Sequence, residues 1–284
     1  MSNSHFQPYF SNEEKDAELL RSAKELVYWN YNGVELKAYA VGEMKPGEKR
    51  PALIFLHDGM WDKSQPAQFI PHCHHFTESG ALCFSVEYRV ADKDMLSPLD
   101  AVEDARNIVT WVRDNAENFG VDTAKIVLIG AGSGAHAALC TSLREAADPK
   151  KGKLLSEPDA LVLFSPVVDT TAKGVAHDLF EDPKVAEKTS PSKNIRVKRP
   201  PMMIMHSKAD RLVPHEQVSK FVRKVNWWRN RCKFIEVEGQ PHAFFNFNFD
   251  QQMFLSAVGE MADFLVSQKI IEDPNWDVQG EIVD

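Results

Sequence analysis

Short runs of apolar residues alternate along this chain with segments of helical periodicity. Each run has only four or five residues, as expected of strands that are covered on both faces of a sheet. Strands that alternate with helices predict an α/β fold, with a mostly parallel central sheet flanked by helices. The runs lie at residues 52–56, 82–86, 126–129, 160–164, 202–205 and 234–237.

An antiparallel hairpin is predicted before the first of these runs. Two alternating segments flank Asn32-Gly33, a pair that favours the type I′ turn of a tight hairpin. Helical spacing covers residues 12–26 ahead of this hairpin. Later helices are predicted after Ser97-Pro98, after Pro214 and near the end of the chain.

These patterns predict a single α/β domain over residues 27–271. A helical extension over 1–26 precedes it, and an extended acidic tail over 272–284 follows it. Residues 148–158 and 169–200 fit neither the strand nor the helix pattern. The second of these segments follows a predicted strand end, where such sheets bind ligands, so we interpret 169–200 as a partial cap.

The composition and charge of the chain bear on its binding partners and its location in the cell. With 284 residues and a formal net charge of −8, the chain has no basic surplus to neutralise nucleic-acid phosphates. No apolar run approaches the ~18 residues of a membrane span, and the first residues lack the basic and apolar regions of a secretory signal. Four scattered cysteines favour a reducing cytoplasm. Earlier removal of a leader and assembly into a homo-oligomer both stay open.

Residues 126–136 read as a strand, a sharp glycine-rich turn and the start of a helix. Gly130 and Gly134 have the spacing of the two glycines in G-x-S-x-G, the strand-turn-helix motif that carries a nucleophilic serine. Gly132 stands at the centre of that motif, where the serine is expected. Ser133 lies one position later.

Three further segments complete a set that appears in one order along the chain. Together the four segments resemble the α/β-hydrolase superfamily, in particular small bacterial acetylesterase-like and carboxylesterase-like proteins, over about residues 50–270. Residues 87–90 also resemble this family. The three segments are Leu56-His57-Asp58-Gly59-Met60-Trp61, similar to an H-G-G-G-W oxyanion loop; residues 205–214, similar to H-G-x-x-D-x-x-V-P; and residues 239–246, similar to G-x-x-H-G-F-F-N.

The resemblance implies hydrolysis of short-chain carboxylic esters through an acyl-enzyme, with a small ester-like ligand and no cofactor. It implies that Asp210 is the triad acid and His242 the general base. The oxyanion loop and pocket are implied to contain His57, Asp58, Gly59, Met60, Trp61, Ser133, Gly134 and Phe244. Trp61 and Phe244 are the aromatic residues expected to face a ligand.

The register of the turn leaves three interpretations. If Gly132 is at the apex, no nucleophile exists, and the protein is catalytically impaired or binds a ligand or partner as a pseudo-hydrolase. If the turn is shifted by one residue, Ser133 completes an active triad with Asp210 and His242. A structural subunit with a filled pocket is the third.

Asp58 introduces a negative charge where glycine is usual, which opposes a developing oxyanion unless Asp58 faces solvent or pairs with Arg89.

Two other motifs have the residue types of ligand sites. His72-Cys73-His74-His75 has metal-binding residue types but no evident fourth ligand, so we expect a polar helix surface and no metal site. Gly130-x-Gly132-x-Gly134 follows a strand, but its spacing differs from the G-x-G-x-x-G of dinucleotide-binding folds.

Overall fold

The computed structural model describes residues 12–91, 97–143, 155–195 and 199–274. Within them, eight strands form one sheet in the order β1-β2-β4-β3-β5-β6-β7-β8. β1 pairs antiparallel with β2 and β2 with β4, and the remaining pairs are parallel. The strands are β1 (Lys24–Tyr31), β2 (Val34–Val41), β3 (Arg50–Leu56), β4 (Leu82–Val86), β5 (Val121–Ala131), β6 (Ala160–Phe164), β7 (Met202–Ser207) and β8 (Cys232–Val237).

Helices cover both faces of this sheet. α3, α5 and α8 pack on one face and α2 and α9 on the other, so that the parallel strands are buried between two apolar cores. The helices are α1 (Glu13–Arg21), α2 (Ile70–Glu78), α3 (Pro98–Asp114), α4 (Ala116–Phe119), α5 (Gly132–Thr141), α6 (Pro183–Lys188), α7 (Pro191–Asn194), α8 (His215–Trp227) and α9 (Gln251–Ser267). None of the helices in the described part of the chain has the length and hydropathy of a membrane crossing.

The α/β sheet with its antiparallel hairpin is confirmed. Asn32 and Gly33 both have positive φ, 49° and 91°, as a type I′ turn requires. Ser97 caps α3 in a capping box with Asp100. The predicted helix over 12–26 is too long, because α1 ends at Arg21 and the chain then enters β1.

Residues 169–200 lie between β6 and β7 and contain α6 and α7. The carbonyl of Thr189 accepts a bond from Cys140 of α5 at 3.1 Å, and the carbonyl of Ser192 accepts one from Lys224 of α8 at 2.6 Å. These contacts hold the segment on the helical layer, and its role as a cap stays a prediction. Residues 1–11 of the predicted extension, 144–154, 196–198, and 275–284 of the predicted tail lie outside the described residues.

The expectation of a polar helix surface at residues 72–75 is wrong for its first two residues. His72 and Cys73 are fully buried on α2. The His72 ring lies 4.9 Å from the ring of Phe69 and 4.7 Å from that of Phe254, and burial lowers the pKa of His72 to about 3. The described residues contain no group of three or more side chains placed to share a metal ion.

The glycine that follows the turn lets α5 approach β3 closely. A Cβ added to Gly134 would overlap the carbonyl groups of Leu56 and His57. We expect Gly134→Ala to lower the free energy of unfolding by about 2–3 kcal/mol, because backbone cannot move aside as a flexible side chain does. Urea unfolding of Gly134→Ala and of the parent protein measures this difference in the free energy of unfolding. Gly259→Ala in α9 is the matched control, since its Cβ meets open space and alanine favours a helix; equal destabilisation of both would contradict the close approach.

Candidate active site

The turn between β5 and α5 has Gly132 at its apex. β5 ends at Ala131, and Gly132 has a φ of 47°, in the left-handed region that side chains other than glycine adopt only with strain. Ser133 is therefore already in the first turn of α5. The structure places no hydroxyl at the bend itself.

The Ser133 hydroxyl is hydrogen-bonded to Tyr88. Its Oγ lies 2.9 Å from the hydroxyl oxygen of Tyr88, which donates its own hydrogen to the carbonyl of His57 at 2.8 Å. Ser133 must therefore donate to Tyr88. Ser133 and Tyr88 are both fully buried. The Ser133 hydrogen is therefore engaged by Tyr88, and the shifted Ser133-Asp210-His242 triad stays a prediction.

His242 and Asp210 meet at the carboxyl edge of the sheet, where β7 and β8 end. His242 Nδ1 lies 2.7 Å from Asp210 Oδ2. The other oxygen, Oδ1, accepts the backbone N–H groups of Leu212 and Val213 at 2.8 and 3.0 Å. These bonds fix the carboxylate, and the carboxylate fixes the imidazole. The arrangement leaves Nε2 of His242 as the nitrogen that would act on a substrate.

Nε2 of His242 is bonded to Asp58. The carboxylate of Asp58 is fully buried, and its Oδ2 lies 3.0 Å from Nε2. Its Oδ1 accepts the backbone N–H groups of Met60 and Ser133, each at 3.3 Å. Asp58 thus neither faces solvent nor pairs with Arg89, whose guanidinium binds Asp104 at 2.9 Å.

The carboxylate of Asp58 fills the space that a side chain at position 132 would need. A Cβ added to Gly132 would overlap Oδ1 and Cγ of Asp58 and come within 2.7 Å of Oδ2. Asp58 therefore stands where a nucleophile on this turn would stand. One of its oxygens faces the base, and the other faces two backbone donors.

The BD-FAE family model matches residues 42–173 and 165–225, which include both β3 with its loop and the turn at Gly132. The chain belongs to the BD-FAE family. It is an esterase-like α/β-hydrolase, as the sequence motifs predicted.

Among solved structures, the chain is similar to esterase 2 of Thermogutta terrifontis phosphoramylated by tabun, at 32% identity and a TM-score of 0.81, over 89% of this chain and 97% of that one. The butyrate-bound form of the same esterase matches at 31% identity, over 89% of this chain and 96% of that one, also with a TM-score of 0.81.

Curated relatives of this BD-FAE protein include esterases of Mycobacterium tuberculosis. Esterase LipC is 25% identical over 221 residues, which are 70% of this chain and 54% of LipC. Esterase LipQ is 25% identical over 222 residues, 71% of this chain and 52% of LipQ. The chain therefore spans about half the length of these relatives.

The charges at the site stabilise one another. Burial opposes the charged imidazole of His242, but its hydrogen bonds to Asp210 and Asp58 outweigh this and raise its pKa to about 9. Burial also opposes the two carboxylates, yet the bonds to His242 lower the pKa of both Asp58 and Asp210. At neutral pH the site of this BD-FAE protein is an imidazolium between two carboxylates.

The other residues implied by the resemblance surround this core. Gly59 and Met60 have φ values of 125° and 48°, and this bend turns the loop so that the N–H of Met60 faces Asp58. The ring of His57 stacks on Tyr88 with 4.3 Å between centroids. Trp61 and Phe244, expected to face a ligand, are buried and lie edge-on against His136 and Phe245, respectively, and their role at a ligand stays a prediction.

Sequence reasoning missed two residues that support Asp58. The side-chain carbonyl of Gln68 accepts the backbone N–H of Asp58 at 2.7 Å, and its amide donates to Asn246 at 2.9 Å. Tyr88 ties Ser133 to the loop after β3. The family-like segment at 87–90 signals a role for Tyr88, whereas Gln68 lies in no motif.

Proposed function

We propose that this esterase-like α/β-hydrolase has lost acyl-serine catalysis and acts as a pseudo-hydrolase that binds a ligand or partner. The observation that supports this most directly is the carboxylate of Asp58 in the space of the side chain at position 132. Asp210 and His242 are inherited acid and base positions in this proposal, and Gly132 is the replaced nucleophile.

Ester cleavage through an acyl-enzyme needs a hydroxyl beside the base and free donors for the oxyanion. In this protein the base nitrogen of His242 and the backbone donors of Met60 and Ser133 are engaged by Asp58. Loss of a single oxyanion donor costs about 3 kcal/mol in transition-state stabilisation. A fixed negative charge at the same point opposes the developing oxyanion further.

The solved relative from Thermogutta terrifontis has been captured phosphorylated by paraoxon and bound to butyrate. By analogy with that esterase, we propose that a ligand of this chain is a small, ester-like molecule. The cytoplasm and a homo-oligomer remain predictions of the sequence.

A fluorophosphonate probe, which bonds covalently to an activated serine, tests the loss of acyl-serine catalysis. We expect no labelling of this protein under conditions that label the Thermogutta terrifontis esterase completely, because the Ser133 hydroxyl is bonded to Tyr88. Intact-protein mass spectrometry measures the adduct. Labelling at Ser133 that His242→Ala abolishes would overturn the proposal and establish a Ser133-Asp210-His242 triad.

A further inference from the structure

We propose that Asp58 is a nucleophile toward saturated carbon and that the site hydrolyses small primary alkyl halides. This inference rests on the part of the proposed function that puts Asp58 in the nucleophile's place, and it assigns the site a reaction of its own in place of ligand binding alone. Carboxylates are established nucleophiles in enzymes that form covalent intermediates.

The contacts of Asp58 match what such a nucleophile needs. Oδ2 lies 3.0 Å from His242 Nε2, so the imidazole is close enough to act on the ester in the later hydrolysis step. Oδ1 accepts the N–H groups of Met60 and Ser133, so the carboxylate is held in one orientation. His242 is in turn oriented by Asp210 at 2.7 Å.

In the first step, Oδ2 of Asp58 donates an electron pair to the carbon that carries the halogen. A carbon–oxygen bond forms, the carbon–halogen bond breaks, and the halide leaves with the bonding pair. The halide departs on the side opposite Oδ2, and His242 lies on the side of Oδ2. Because His242 cannot protonate a group that leaves there, the substrate must release a stable anion, as an alkyl halide does.

Formation of the alkyl ester removes the negative charge of Asp58. His242 then loses one of the two carboxylates that raise its pKa, and it releases its proton to solvent. The neutral imidazole is now a general base. Its activation therefore follows from the first step.

In the second step, His242 takes a proton from water as the water oxygen bonds to Cγ of Asp58. The negative charge develops on Oδ1, which already faces the N–H groups of Met60 and Ser133. The bond from Cγ to the alkylated oxygen breaks, and the alcohol leaves with the proton held by His242. Asp58 then passes its acid proton to His242, so the cycle converts alkyl halide and water into alcohol, halide and one proton.

Access to Asp58 limits the substrate to small molecules. Asp58 is fully buried, and His242 is only 4% exposed. Met60, which donates to Asp58, is partly exposed and lies in the same loop. We place the entrance at Met60, and the burial of Asp58 limits the substrate to a short alkyl chain.

Butyl bromide is the probe for this inference. In His242→Gln the attack by Asp58 is retained and the hydrolysis is blocked, so we expect a butyl ester to accumulate on Asp58, located by peptide mass spectrometry. Asp58→Asn should show no such adduct. Asp62→Asn, an exposed aspartate of the same loop, is the matched control and should leave bromide release by the parent protein unchanged.

A single turnover of the unmutated protein in heavy-oxygen water gives a second readout that does not depend on the folding of a variant. We expect heavy oxygen in the peptide that contains Asp58, because the attacking water oxygen stays on Cγ. Absence of heavy oxygen at Asp58, or alkylation of cysteine alone, would overturn the inference. Neither result affects the proposed loss of acyl-serine catalysis, which the fluorophosphonate probe tests at Ser133.

Discussion

Gly132→Ser alone is expected to yield no esterase activity, whereas Gly132→Ser combined with Asp58→Gly is expected to yield an acyl-serine enzyme. The single substitution puts a side chain into the space of the Asp58 carboxylate. The second substitution empties that space, frees Nε2 of His242 and releases the backbone donors of Met60 and Ser133.

The expected effects are large because an intact triad depends on all its members. Loss of a triad nucleophile costs roughly a million-fold in kcat in a serine protease, so we expect the double variant to hydrolyse para-nitrophenyl acetate at least ~10³-fold faster than the parent. Gly132→Ser alone should lower the free energy of unfolding by about 2–4 kcal/mol through overpacking and a non-glycine residue at positive φ.

Asp58→Gly alone is the control for this experiment. It opens the same space but supplies no hydroxyl, so its ester hydrolysis should equal that of the parent protein. Steady-state kinetics and fluorophosphonate labelling at position 132 measure the result. Full activity in Gly132→Ser with Asp58 still present would show that the carboxylate does not occupy the nucleophile's place.

Stability is expected to be greatest at about pH 7. His242 has a folded pKa of about 9 against an ordinary value of 6.5, so its stabilising contribution is complete below pH 6.5 and is lost as the pH rises toward 9. We expect the free energy of unfolding to fall by about 1 kcal/mol between roughly pH 7 and pH 8.5. This window lies below the ordinary pKa of cysteine, 9.0.

Acid destabilises the fold through other histidines. Burial lowers the pKa of His72 to about 3 and that of His136 and His206 to about 4, so each contributes stability that is present above pH 6.5 and lost as the pH falls. The loss is roughly 3 kcal/mol for each by about pH 4. The lowered pKa values of Asp58 and Asp210 add to it below their ordinary value of 3.8.

Denaturant unfolding across this pH range measures the decline in stability at alkaline pH and the decline in acid, with His242→Gln as the control. The control should lose the decline between roughly pH 7 and pH 8.5 and retain the decline in acid, since its other buried histidines are unchanged. An unaltered alkaline decline in His242→Gln would show that groups other than His242 cause it.

The fold could be predicted because its signals are local. The strand runs are almost entirely apolar, Asn32-Gly33 forms its turn with the positive φ values that this pair favours, and Ser97 caps its helix within one turn. Asp210 and His242 also come together predictably, because each follows a parallel strand and the strands end at one edge of the sheet.

The position of Asp58 could not be predicted, because it depends on three parts of the chain at once. The bend at Gly59 and Met60 turns the loop, Gly132 leaves space, and His242 supplies the partner. The predictions of a helix at Leu26 and of a polar surface at His72 were wrong for a similar reason. Leu26 has helical spacing but lies in β1, and His72 is polar but packs among aromatic rings.

The overlap between a side chain at position 132 and Asp58 constrains the order in which this site evolved. An ancestor with both serine at 132 and the present conformation of Asp58 would place two groups in one volume. We therefore expect that Asp58 adopted its present conformation only with glycine at position 132. In a reconstructed ancestor with serine at 132 and aspartate at 58, the carboxylate should lie outside this space.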